Sequence, residues 1–227
     1  PAPVVRDQDG AVGDMPAGSY ENPVQALRTA HALIAAGADS VKLEGPCLDE
    51  VRAIVAAGIA VMGHVGLQPQ TATVFRKEGK TPEEADRIAR EAVQLEQAGC
   101  FADVIEAVPA DLATRITASL SVPTIGIAAG VETDGQVLVS TDLVGQLPFN
   151  PPFVAPKANV FDIVTRAARE FVDDVRRGAT VGVSSRVLLA SVSSGIEGQL
   201  LLVAEDSLWA VDHQQHQAHP NQDEPDL

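Results

Sequence analysis

Short apolar runs rich in valine and isoleucine recur along most of this chain, and longer stretches of helical period separate them. That alternation is the strongest constraint on the fold, because a buried strand followed by an amphipathic helix is the unit of a parallel sheet with helical crossovers. The runs fall at 11–15, 40–43, 60–63, 103–105, 124–127 and, more weakly, 136–139. Several helix starts are written in capping chemistry. Asn22-Pro23 places an amide cap before a proline at the first helical position, and the stretch after it stops at Gly37. Thr81-Pro82-Glu83-Glu84 reads as a capping box opening a helix that runs to Gly99. Two more helices are expected from about Pro109 to Leu120 and from about Val160 to Arg177, the latter with Gly178 after it. Six strands with helices between them fit an open doubly wound sheet or most of a (β/α)₈ barrel. No glycine-rich phosphate loop follows the first strand, so the nucleotide-binding open sheet loses ground. The expectation is an α/β chain of the TIM-barrel type with about six βα units, two short of closure.

After Gly178 the pattern changes. Residues 181–211 carry β-branched runs broken by Ser193-Ser194-Gly195 and Glu205-Asp206-Ser207, as a hairpin or small meander would, and 212–227 reads as a solvated, disordered tail. The expected organisation is therefore a barrel-like region over 1–179, a β-rich extension over 180–211 and a tail over 212–227. His213, His216 and His219 in that tail are spaced for a metal only if helical, and incidental composition is the simpler reading.

Charge and hydropathy narrow the partners. With 45% hydrophobic residues in 227 the chain has material for a core, and 16 Lys+Arg against 31 Asp+Glu leave it at −15. Such a surface repels phosphate backbones and anionic lipids, so neither nucleic acid nor a membrane is expected as a partner. No apolar run approaches the roughly 20 residues of a membrane helix, and Pro1-Ala2-Pro3 opens neither a basic nor an apolar signal segment. A cytoplasmic location is expected, with Cys47 and Cys100 as reduced thiols. The opening without Met reads as the middle of a domain.

The polar residues that interrupt the apolar runs cluster at their C-terminal ends: Asp14, then Lys42 and Glu44, then His64, then Glu106. In barrels that rim is where the βα loops build the active site. Three carboxylates, an ammonium and an imidazole at one mouth suit a divalent cation held by oxygen ligands beside an acid/base residue. Each also has a plainer reading: Asp14 as a cap, Lys42 with Glu44 as an ion pair, His64 as a core histidine. Gly63-His64-Val65-Gly66 and the segment from Gly126 to Gly130 put small residues near the rim, for close approach to a ligand or for simple turn geometry.

The ordered blocks Asp14-Met15-Pro16 with Gly18-Ser19-Tyr20, Val41-Lys42-Leu43-Glu44-Gly45, Gly63-His64-Val65-Gly66-Leu67-Gln68-Pro69-Gln70, Ile105-Glu106-Ala107-Val108-Pro109, Val122-Pro123-Thr124-Ile125-Gly126-Ile127-Ala128-Ala129-Gly130 and Thr133-Asp134-Gly135-Gln136-Val137-Leu138-Val139 resemble the motifs of the ketopantoate (3-methyl-2-oxobutanoate) hydroxymethyltransferase family. The resemblance runs from about residue 11 to 179. It implies a (β/α)₈ barrel of the phosphoenolpyruvate-mutase-like superfamily, commonly a homodecamer. The implied reaction moves a hydroxymethyl group from 5,10-methylenetetrahydrofolate to 3-methyl-2-oxobutanoate, on the route to pantothenate and coenzyme A. It casts Asp14 as a Mg²⁺ ligand that also contacts the keto acid, Glu44 as a Mg²⁺-site carboxylate, Lys42 as the residue binding the substrate's anionic end, Glu106 as the base, and His64, Gly126 and Gly130 as pocket residues.

The chain also departs from the family pattern. Relative to it, two βα units before Pro1 are missing, with a Gly-Asp-Ser motif that would add a metal ligand and a substrate contact. Gln68 stands for a threonine, Ala128 for a glycine and Thr141 for a histidine, and the segment 73–80 is shorter than the family's glycine-rich loop. Two alternatives therefore stand beside the enzyme: a catalytically inactive remnant or assembly subunit of the family, and a Mg²⁺-dependent lyase or aldolase of the same superfamily acting on another keto acid.

Overall fold

A computed structural model of the chain describes residues 10–179, together with Leu188–Leu189 and Leu202–Val203. Six strands, β1 (Val12–Asp14), β2 (Ser40–Lys42), β3 (Ala60–Gly66), β4 (Ala102–Glu106), β5 (Thr124–Ile127) and β6 (Gly135–Gln136), form one sheet in sequential order. All neighbours are parallel. Sequential order is what separates the two candidate architectures. A doubly wound sheet reverses its strand order part-way, whereas right-handed crossovers that always advance one strand put every helix on the same face. The sheet is a six-stranded parallel half-barrel.

The connecting helices are α1 (Pro23–Ala35), α2 (Leu48–Ala56), α3 (Pro82–Ala98), α4 (Ala110–Ser119) and the short α5 (Ser140–Leu143). Their caps follow the expected chemistry with one change. Asn22 Oδ1 accepts from Gln25 N–H at 3.0 Å, and Thr81 Oγ1 accepts from Glu84 N–H at 3.3 Å. The Glu84 carboxylate turns back to the N–H of Lys80 rather than that of Thr81, one residue outside the usual box. Gly99 closes α3 in the left-handed region at φ 107°. Helix α2 has no side-chain cap, since Cys47 precedes it, and only Asp49 and Glu50 in its first turn favour the helix start. That is why capping chemistry alone does not reveal it.

Strand parity divides the sheet into two faces. Val41, Val61, Val65 and Ile105 face the helices and join Val51, Ile54, Ile88, Leu95, Leu112 and Ile116 in the main core. Met62, Ala102, Val104 and Ile127 point to the other side and form a second, smaller cluster. Asp14, Lys42, His64 and Glu106 share the parity of this inner set. Two strands differ from expectation. β3 continues three residues past the apolar run, to Gly66, and β6 is confined to Gly135–Gln136, with Val137 and Val139 about half exposed beyond it.

The described residues fall into two compact units, and β1 to β6 with α1 to α5 form the first. The second contains α6 (Val160–Arg176) and a two-residue antiparallel ladder between β7 (Leu188–Leu189) and β8 (Leu202–Val203). In α6 the Asn159 side chain accepts from Asp162 N–H at 3.1 Å, and Arg176 and Arg177 pair with Asp173 and Asp174 one turn back. The rest of 180–211, the tail 212–227 with its histidines, and residues 1–9 lie outside the described residues. Among the described residues, no helix is long and apolar enough to cross a membrane.

Candidate functional site

Asp14, Lys42 and Glu106 are the last residues of β1, β2 and β4. Ladder register sets Asp14 directly opposite Lys42, and Lys42 Nζ donates to Asp14 Oδ1 at 2.8 Å. The expected pairing of Lys42 with Glu44 is thus replaced by a cross-strand pair: β2 ends at Lys42, and Glu44 lies in the loop beyond it, 6% exposed. Glu44 Oε2 instead accepts the N–H of Gln70 at 3.1 Å. The Lys42 side chain is 15% exposed and that of Asp14 is 55% exposed, as its edge strand dictates.

His64 does not follow its strand. Because β3 is longer than its apolar run, the imidazole sits inside it, 2% exposed, with Nε2 at 3.3 Å from Glu106 Oε2. That contact lacks hydrogen-bond alignment, and neither ring nitrogen has a hydrogen-bond partner among the described residues. Buried polar atoms without partners are rare in folded proteins, and a titratable imidazole left so against a carboxylate marks this as a candidate functional position.

The small residues at and after β5 leave room for neighbouring side chains. A Cβ on Gly126 would meet Thr133 Oγ1 at 2.5 Å and Gln136 Nε2 at 2.9 Å, and one on Gly130 would meet the Ala110 Cβ at 2.6 Å. Between them Ala128 holds φ 53°, a left-handed backbone in which a Cβ is strained.

Two residues of the site escaped residue-type reasoning. Gln70, in the β3–α3 connection, donates from Nε2 to the Met15 carbonyl at 3.2 Å and more distantly to Asp14 Oδ1 at 3.4 Å, while its Oε1 accepts from Ala17 N–H. Burial pushes the Tyr20 phenol above its ordinary 10.0; a bond to the Glu44 backbone opposes this, and the Glu44 and Asp14 carboxylates add to the rise. Both residues occur in the sequence blocks, but neither is an ionised group at a strand end, and a lone amide or phenol in a loop carries no local signal of a site.

An unexpected carboxylate lies on the opposite face. Asp103 of β4 is fully buried against the helices, with no hydrogen-bond partner for either oxygen among the described residues, and its carboxyl occupies the space of a Gly63 side chain. Desolvation first, then the charge of Glu96, raises it from 3.8 to about 8.

This geometry coincides with a sequence match over most of the described region: the profile of the ketopantoate hydroxymethyltransferase family matches residues 3–180. The chain belongs to this family. A 3-methyl-2-oxobutanoate hydroxymethyltransferase of Acaryochloris marina (strain MBIC 11017) is 49% identical over 171 residues, covering 72% of this chain and 66% of the relative. One of Moorella thermoacetica is 50% identical over 185 residues, covering 77% and 69%. The chain thus spans about two thirds of the length of these ketopantoate hydroxymethyltransferases. Among solved structures, 2,3-dimethylmalate lyase, a PEP mutase/isocitrate lyase superfamily member, aligns at 14% identity and TM-score 0.43, covering 77% of this chain and 62% of that one.

Proposed function

We propose that this chain transfers a one-carbon unit from 5,10-methylenetetrahydrofolate to 3-methyl-2-oxobutanoate, giving 2-dehydropantoate. The observation that carries this reading is the convergence, on the inner face of the sheet, of the Asp14–Lys42 pair and the His64–Glu106 contact at the carboxyl ends of the strands. Relatives of similar sequence over this region bear that activity in their names.

Each group has a task suited to its surroundings. The Lys42 ammonium, mostly sheltered yet ion-paired only to a half-exposed carboxylate, offers a cation for the keto acid's carboxylate in a net-acidic chain. Glu106, 17% exposed on its side chain, takes the proton from C3 of the keto acid, the branched carbon next to the carbonyl. His64 packs against Glu106 and limits how its carboxylate rotates. Water hydrolyses the N–CH2–N bridge of the folate to tetrahydrofolate and formaldehyde, and the carbanion adds to the formaldehyde carbon while a proton goes to its oxygen, giving the hydroxymethyl group.

Magnesium fits the donor chemistry. Asp14 and Glu44 are hard oxygen ligands joined through Gln70, and the bonds they accept engage one oxygen of each. Among the described residues no three of His, Cys, Asp and Glu gather closely enough to hold a cation alone, so keto-acid and water oxygens would complete the coordination, as Mg²⁺ sites commonly require. When bound there, the cation would polarise the keto oxygen and acidify the adjacent C–H.

The test is folate-dependent formation of 2-dehydropantoate by the full chain with Mg²⁺. Glu106→Gln is expected to lower kcat by about 10²-fold or more while leaving keto-acid binding within a few fold. Turnover by the wild-type chain no greater than that of Glu106→Gln would overturn the assignment.

A further inference from the structure

We propose that Gln70 is the positioning residue of this site, holding Asp14 and Glu44 by one oxygen each so that the second oxygen of each is left for ligand. The proposal rests on the reading of these carboxylates given above.

Three loops meet at this one residue. Its N–H donates to Glu44 Oε2 at 3.1 Å, in the loop after β2. Its side-chain Nε2 donates to Met15 O at 3.2 Å and leans on Asp14 Oδ1 at 3.4 Å, while its Oε1 accepts from Ala17 N–H, both at the end of β1. Lys42 Nζ reaches the same Asp14 Oδ1 at 2.8 Å, so the two donors converge on a single oxygen and, among the described residues, leave Oδ2 uncommitted. Asp14 belongs to a three-residue edge strand and is half exposed. Lys42 alone would let the carboxylate turn about one bond, and the Gln70 donor on the same oxygen narrows that rotation.

The residue type is specific to the task. A carboxamide offers a donor and an acceptor at one sp² centre, here spent on the Met15 carbonyl and Asp14 on one side and the Ala17 N–H on the other. Glutamate keeps the acceptor and loses the donor; methionine has the length and neither function. The loop reaches the site closely as well: the Gln68 carboxamide lies within 3.0–3.2 Å of where a Gly45 Cβ would be, which seats the segment 68–70 over the residue after Glu44.

This separates a positioning role from mere loop anchoring. Gln70→Met and Gln70→Glu are made in the full chain and titrated calorimetrically with Mg²⁺, and with 3-methyl-2-oxobutanoate in its presence. We expect both variants to bind roughly tenfold to a hundredfold more weakly, the range for partners that orient a metal ligand, with unchanged thermal unfolding midpoints. If Gln70→Glu, which retains the acceptor for Ala17, binds like wild type while Gln70→Met does not, the residue only anchors the loop and the proposal fails. Wild-type binding by both variants also overturns it. A ligand-free readout keeps the question apart from the functional assignment. In the ¹⁵N-labelled chain, the Gln70 side-chain amide signal, identified by its loss in Gln70→Met, should move in Asp14→Asn. An unmoved signal refutes the contact whatever the chain binds. A moved signal in a wild-type chain that takes neither Mg²⁺ nor keto acid leaves the Gln70 contact standing and sinks the functional reading alone.

Discussion

Asp103 makes the stability of this protein depend on pH in an unusual direction. Its carboxyl is fully buried between β4 and the helices without a hydrogen-bond partner among the described residues, and desolvation, aided by the nearby charge of Glu96, lifts it from 3.8 to about 8. An acid whose affinity for its proton rises on folding stabilises the native state where it is protonated in both states, below 3.8. That stability is lost progressively as pH rises from 3.8 to about 8, because the unfolded chain releases the proton and the folded chain must keep it or bury a charge. Each tenfold change in proton affinity is worth about 1.4 kcal/mol, which sets a ceiling of about 6 kcal/mol on the loss. Relaxation around a buried charge and water entry reduce this, and we expect about 2–4 kcal/mol. Asp103→Asn keeps the shape and removes the titration. The two proteins should be about equally stable near pH 4, and the variant about 2–4 kcal/mol more stable at pH 9. Urea unfolding of both proteins across that range measures the difference directly. Burial first, then the charge of Asp103, raises the neighbouring Cys100 thiol; the burial part is common to both proteins and cancels, while the Asp103 part is lost in the variant and belongs to the measured difference. A wild-type-minus-variant difference that stays flat from pH 4 to 9 would refute the argument that this carboxyl is desolvated and unpaired.

Other substitutions probe the packing around the site. Gly63→Ala should destabilise by about 1–3 kcal/mol, because its methyl would occupy the space of the Asp103 carboxyl, and the penalty should shrink in an Asp103→Ala background if that collision is the cause. Chemical denaturation of the four proteins in this cycle gives the coupling. Ala128→Gly should stabilise by about 0.5–1 kcal/mol, as relief of the φ 53° backbone outweighs the added freedom of the unfolded chain; a lowered melting temperature would show the strain to be absent.

Much of the scaffold was legible in local chemistry. Asn22-Pro23, Thr81-Pro82 and Gly99 marked helix ends because a cap satisfies backbone groups within three or four residues, an interaction contained in a short window of sequence. Helix α2, with Cys47 where a capping side chain would be, left no such mark. The length of β3 was hidden for a related reason: His64 and Gly66 do not look like strand, and only the ladder to β4 makes them one. Hence His64 was expected at a rim and lies within the sheet.

Ionisable residues at the ends of apolar runs, read with the ordered motif blocks, were enough to select Asp14, Lys42, Glu44, His64 and Glu106 as candidates and to point to the family. Their partners were decided only in three dimensions. Register across two strands distant in sequence placed Lys42 against Asp14 rather than Glu44, and strand parity sent Asp103 to the helix face while Glu106, three residues on, faced inward. Gln70 acquired its place because its backbone N–H reaches Glu44 while its carboxamide reaches Asp14, Met15 and Ala17, each bond spanning at least 26 residues of chain. Residue type sets what a side chain is able to do; its partner depends on ladder register and loop closure, which long-range packing determines and no short stretch of sequence encodes.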